Sequence, residues 1–200
     1  SLLERIARER DGRRLRQYAD CLAQVYKRPG PWVYWDYRPK PRPANPIAWD
    51  RTETIAKSLN GSLTNNDPDT RLFVLQRMQR EQVPVDLNVL GRWLREEQDP
   101  ERVGVMLESL RDPRGGDALP HLELVIVDAR QRSANRLTAL ALFVRGLRED
   151  QAGLLPNLAE RLEDGPILAE ALRSLSKFPK LAVAPLLATL LGYVVRVVRI

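Results

Sequence analysis

Beyond Asn66 the chain repeats a helix-start signal and an apolar stripe at intervals of just over thirty residues, and this periodicity limits the fold more than any other feature. Asp67-Pro68, Asp99-Pro100 and Asp164-Gly165-Pro166 each precede an amphipathic stretch. An Asp at the N-cap accepts hydrogen bonds from the exposed N–H groups of the first turn, and a Pro in that turn has no N–H to leave unpaired. Asn45-Pro46 repeats the signal and predicts a helix running through Trp49 and Ile55. Leu137, Leu140, Ala141, Val144 and Leu147 follow helical spacing, as do Ile167, Leu168, Ala171, Leu172, Leu175 and Phe178. Leu87, Leu90, Trp93 and Leu94 mark another helix, and Val103, Met106, Leu107 and Leu110 a further one. Aligning the first helix of each pair on Arg71, Arg102, Arg136 and Ile167 gives offsets of 31, 34 and 31 residues, the length that two short helices and their turns require. One such pair cannot bury both of its apolar faces. The pattern therefore predicts an all-α fold in which the pairs stack into a right-handed α-α solenoid with a continuous core, and it excludes a sheet protein.

Ahead of the repeats, Leu15, Tyr18, Ala19, Leu22, Val25 and Tyr26 form a helical stripe, preceded by a shorter helix that ends near Asp11-Gly12. Residues 1–27 are thus expected to be a helical cap, residues 28–50 an extended strap, and residues 51–200 the helical repeats, together one continuous domain. The chain begins with Ser1 and shows no signal peptide, which reads as a fragment of a longer protein. Cys21, the one cysteine, excludes an internal disulfide and a cysteine-rich metal site; beside the apolar stripe it is expected to be a buried or half-buried, unreactive thiol. The apolar run from Leu181 to Val195 is short for a membrane span and contains Pro185 and Gly192, so a last repeat helix is expected there and no span.

The formal charge of +6 permits contact with nucleic acid, anionic lipid or an acidic protein without choosing among them. Arg5, Arg8, Arg10, Arg13, Arg14 and Arg16 supply much of it, interspersed with Glu4, Glu9 and Asp11. Mixed signs at this spacing read as a solvated helix face.

The segment from Pro29 to Asp50 departs from the repeats. It holds three of the four Trp, two of the five Tyr and six of the fifteen Pro. Pro39, Pro41 and Pro43 alternate with Lys40, Arg42 and Ala44, which prevents a helix and favours an extended, polyproline-like path. Trp32, Tyr34, Trp35 and Tyr37 recur along it with large apolar faces and polar tips. These aromatics pin the strap to the first helices, or, with Arg38, Lys40 and Arg42, they form a recognition surface for a carbohydrate or peptide. The seven side chains are the candidate binding surface.

Two resemblances add to this reading. The stretch from Asn66 to Tyr193, with RSLSKFPKLAVAPLLATLL as helix, turn at Pro179 and second helix, resembles HEAT repeats, although HEAT units run somewhat longer. The phrase KRPGPWVYWDYRPKPRPAN with WDRTETI, TRLFVLQRMQREQVPV and LGRWL resembles the middle region of large exported proteins of planctomycete-type bacteria. Its most specific part is Arg38 to Asn45 with Trp49. Those proteins combine a propeller-like domain of sugar-dehydrogenase type, a HEAT-like region and a c-type cytochrome domain with a CxxCH haem attachment site. The resemblance implies an exported, periplasmic protein in which this chain joins or docks other domains. No catalytic residue is carried over. With Cys21 and His121 as the only Cys and His, any haem would attach elsewhere in the parent, and no cofactor or metal is assigned to this chain.

Catalytic chemistry finds little to stand on. His121 follows a helix-starting Pro120 and reads as structural or solvated. His121-Leu122-Glu123 imitates the HxE of zinc deaminases but lacks the paired cysteine ligands. Gly115-Gly116 with Pro113 reads as an interhelical turn, not a phosphate loop. Glu96, Glu97 and Asp99 read as capping groups, and Trp93 as core. The expected function is a non-catalytic scaffold segment whose partners are domains of its parent or another protein. The alternative is nucleic-acid binding on a basic solenoid, in the manner of HEAT-like DNA glycosylases.

Overall fold

The computed structural model describes residues 2–31, 44–111 and 118–178. They form ten α-helices and one short 3-10 turn, with no strand among them. The chain divides into two compact units, Ser1–Glu96 and Glu97–Ile200. The division falls between one predicted helical pair and the next. The turn containing Pro113, Gly115 and Gly116, the turn at Pro179 and the run from Leu181 to Val195 lie outside the described residues.

The first unit contains α1 (Leu2–Arg8), α2 (Gly12–Gln24), α3 (Thr52–Ser62), α4 (Pro68–Arg80) and α5 (Leu87–Glu96). α1 packs on α2 and α3, and α4 packs on both α2 and α3. Leu15, Ala19, Leu22 and Tyr26 of the predicted stripe are buried, as are Ile55, Leu59, Val74, Leu75, Met78, Leu90 and Trp93. Val25 is not part of this core. It lies one residue beyond α2, where the chain leaves helical geometry, and is 49% exposed. Cys21 is also exposed, contrary to expectation, because its position on α2 faces away from Leu15, Ala19 and Leu22.

Two turns in this unit show how local chemistry sets the packing. At Gly12 a Cβ would lie 2.9 Å from Thr70 Oγ1 and 3.2 Å from Asp67 Oδ2, so the start of α2 can approach the start of α4 only because it has no side chain. At the end of α4, Gln82 takes a positive φ of 55°. Gln82 N–H donates to Gln79 O at 3.1 Å and Val83 N–H to Met78 O at 2.8 Å, the pairing of a left-handed helix-ending motif, and Val83 and Met78 are both buried.

The second unit contains α6 (Pro100–Ser109), α7 (Leu119–Val127), α8 (Ser133–Gly146), the 3-10 turn Glu149–Gln151, α9 (Leu154–Ala159) and α10 (Pro166–Leu175). α8 packs against α6, α7 and α10, and α9 packs against α10. The first helices of successive pairs begin at residues 68, 100, 133 and 166, offsets of 32, 33 and 33. The four alignment positions Arg71, Arg102, Arg136 and Ile167 each fall inside one of them.

Some sequence expectations shift. The stripe read on α8 included Ala141, which is exposed, whereas Arg136, Ala139, Leu142 and Phe143 are buried with Leu140, Val144 and Leu147. A helix with three neighbours buries more than one narrow stripe. Asp67 and Asp99 cap α4 and α6 as expected, but Asp164 does not cap α10: Gly165 occupies that position at φ 151°, ψ −167°, with no side-chain cap. Asn45-Pro46 does not start a helix either, since α3 begins only at Thr52.

Candidate functional site

The strap's two ends meet at the C-terminal end of α2. Arg28 and Ile47 form an antiparallel bridge, with Arg28 N–H donating to Ile47 O at 2.8 Å and Ile47 N–H to Arg28 O at 3.2 Å. A helix end leaves carbonyls without intrahelical donors, and the far side of the strap supplies them here. Asn45 Nδ2 donates to Gln24 O at 3.1 Å and Lys27 O at 3.0 Å. The indole N–H of Trp49 points at Val25 O (3.0 Å) and Tyr26 O (3.2 Å), and Thr52 Oγ1 donates to Tyr26 O at 3.0 Å. The Arg28 guanidinium stacks 4.8 Å from the Trp49 ring. Asn45 and Trp49, read from sequence as the start and body of a helix, are thus the clasp that closes the strap. Trp32, Tyr34, Trp35, Tyr37, Arg38, Lys40 and Arg42, the candidate binding surface itself, lie outside the described residues.

The other singled-out residues take structural positions. Trp93 is 2% exposed, and Arg71 of α4 stacks 4.8 Å from its ring. Glu97 accepts from the N–H groups of Gln98 and Asp99. Asp99 accepts from those of Glu101 and Arg102, and these backbone donors hold its carboxyl below the ordinary range. His121 is half-buried in the first turn of α7. Among the described residues, no three His, Cys, Asp or Glu side chains are grouped to hold a metal ion, and no helix is long and apolar enough to cross a membrane.

Sequence reasoning missed the arginines that join helices. Arg136 on α8 is 4% exposed; its Nε donates to Ile126 O at 2.7 Å, and its two terminal nitrogens grip Glu163, one at 3.0 Å. That hydrogen-bonded pair pulls the Glu163 carboxyl down to about 2. In the first unit Arg77 pairs with Asp20 at 2.9 Å, and Arg16 reaches both Asp67 (3.7 Å) and Thr70 Oγ1 (3.4 Å). The Thr70 hydroxyl in turn donates to Asp67 and is the main reason its carboxyl titrates low. Arg136 was visible in the sequence only as a repeat landmark. A charged residue at a core register is the signal that could have exposed its role.

A cavity of about 350 Å³ opens between α1, α2 and the end of α3, lined by Ile6, Leu15, Ser58, Ser62, Thr64 and Asn65. Three of its polar side chains bond to nearby backbone. Ser62 Oγ donates to Ser58 O, Thr64 Oγ1 donates to Gly61 O, and Asn65 Oδ1 accepts from Asp67 N–H. Comparison with protein-family models, curated proteins and solved structures finds no match to this chain.

Proposed function

We propose that the chain is a non-catalytic, HEAT-like α-solenoid segment that serves as a scaffold between other domains or partners. The observation that carries this reading is the packing rule common to both units. The first helix of one pair lies on the first helix of the next (α2 on α4, α6 on α8, α8 on α10), and the second helix lies on the first helix that follows it (α3 on α4, α7 on α8, α9 on α10). Nearest-neighbour packing of this kind builds a quasi-one-dimensional array with an extended binding surface. The buried Arg136 and the half-buried Arg77 and Asp20 are spent on joining helices, which suits a scaffold.

The proposed setting, an exported protein with a sugar-dehydrogenase-type domain and a c-type cytochrome domain, rests on the Arg38 to Asn45 phrase and Trp49. Two experiments test the proposal. Small-angle scattering should give a radius of gyration clearly above the roughly 16 Å of a compact 200-residue globule; a value at that limit would rule out a stacked array. The purified chain, given sugars and an electron acceptor, should leave the acceptor oxidised, and turnover would end the non-catalytic reading. For the setting, the complete reading frame should carry CxxCH and a propeller-like region, and a frame with neither removes it.

A further inference from the structure

The stretch from Glu4 to Arg16, which spans the end of α1, the turn after it and the start of α2, carries six arginines against three carboxylates, a net +3 and half of the chain's +6. The sequence alone reads these mixed signs as a self-compensating face, but the structure separates them. Glu9 turns its carboxylate onto the N–H groups of Arg10 and Asp11, both at 3.0 Å, and Asp11 caps α2 by accepting from Arg14 N–H at 2.7 Å. Arg16 is drawn inward to Asp67 and Thr70. Arg5, Arg8, Arg10, Arg13 and Arg14 are all exposed, and none forms an ion pair among the described residues. Four of them fall within seven consecutive residues around one turn.

We propose that this turn is a contact surface for the phosphate backbone of a nucleic acid, bound without sequence preference. The basic side chains are all arginine, whose planar fork pairs with phosphate oxygens in bidentate fashion. An anionic membrane is disfavoured because a peripheral helix also needs an exposed apolar face. Here Ile6 is buried in the core, and the exposed large apolar side chains among the described residues are Val25, Ile47, Leu124 and Leu154, none of them at this turn. The surface rests on exposed charge and not on the order in which the helices pack, so it stands independently of the scaffold reading.

The test is fluorescence anisotropy of the full chain with a labelled DNA duplex of about 20 base pairs, between 50 and 300 mM salt. Five phosphate contacts give a slope of log K against log salt of about −4.5, at roughly −0.9 per contact. A variant with Arg8, Arg10, Arg13 and Arg14 all changed to Gln should bind at least about tenfold more weakly at low salt and lose most of that slope, near one unit per arginine. A control with the exposed Arg92, Arg95, Arg132 and Arg145 changed to Gln removes the same charge elsewhere and should retain the slope. Arg10→Glu, outside both helices, gives the same direction of effect should the fourfold variant fail to fold. Absence of wild-type binding at 50 mM salt overturns the proposal. So does equal loss in the turn variant and the control, which would mark a bulk charge effect. Turn-dependent binding to phosphatidylserine vesicles in place of DNA would assign the surface to membranes instead.

Discussion

Arg136 on α8 and the arginines at the turn between α1 and α2 carry the same charge in opposite surroundings. Arg136 has lost its water and gained Ile126 O and the Glu163 carboxylate, so its charge is fully engaged in joining α8 to its neighbours. Arg8, Arg10, Arg13 and Arg14 are exposed, while Glu9 and Asp11 beside them bond to backbone amides. An arginine's task thus follows from where nearby carboxylates point and not from how many lie nearby in sequence.

Truncating the buried arginine should have the largest effect. Arg136→Ala leaves Ile126 O without its donor and opens space in the core, and should cost about 3 kcal/mol in a denaturant melt; a loss under 1 kcal/mol would show that the position is not a structural joint. Its partner sharpens the same point through pH. Because Glu163 titrates at about 2 when folded against 4.5 ordinarily, its contribution is present above pH 4.5 and is lost as pH falls toward 2. Glu163→Gln should flatten that part of the stability profile, and an unchanged profile would show that the pair does not couple to folding.

Next in size is the close approach at Gly12. Adding a Cβ 2.9 Å from Thr70 Oγ1 forces the starts of α2 and α4 apart, and Gly12→Ala should cost about 1 to 2 kcal/mol despite the better helix propensity of alanine. A neutral or stabilising result would mean that this turn adapts freely. The smallest effect belongs to the exposed arginines: changing Arg8, Arg10, Arg13 and Arg14 singly to Gln should move stability by no more than about 0.5 kcal/mol each. A larger loss in any of them would assign that arginine to the fold and remove it from the proposed phosphate surface.

The helices were legible wherever propensity and pattern agreed. Asp67-Pro68 and Asp99-Pro100 mark true starts because an N-cap needs only atoms within three residues of itself. The same local signal failed at Asn45-Pro46, where the Asn45 amide serves carbonyls 21 and 18 residues away on and after α2, and at Asp164, where Gly165 turns the chain first. Ala141 departs from the expected stripe on α8 for a related reason. The stripe expected of a one-sided helix does not describe one with neighbours on several sides.

Linear pattern was enough for the all-helical class, the interval of just over thirty residues between helix starts, and most of the core positions, because hydrophobic period and capping act over a few residues. Tertiary structure alone decided that Trp49 and Asn45 clasp the end of α2, that Arg136 is buried while Cys21 is not, and that Glu9 and Asp11 bond to amides beside exposed arginines. Each of these depends on which unsatisfied carbonyl, amide or charge comes within about 3 Å after the chain has folded back on itself, and linear spacing carries no record of that distance.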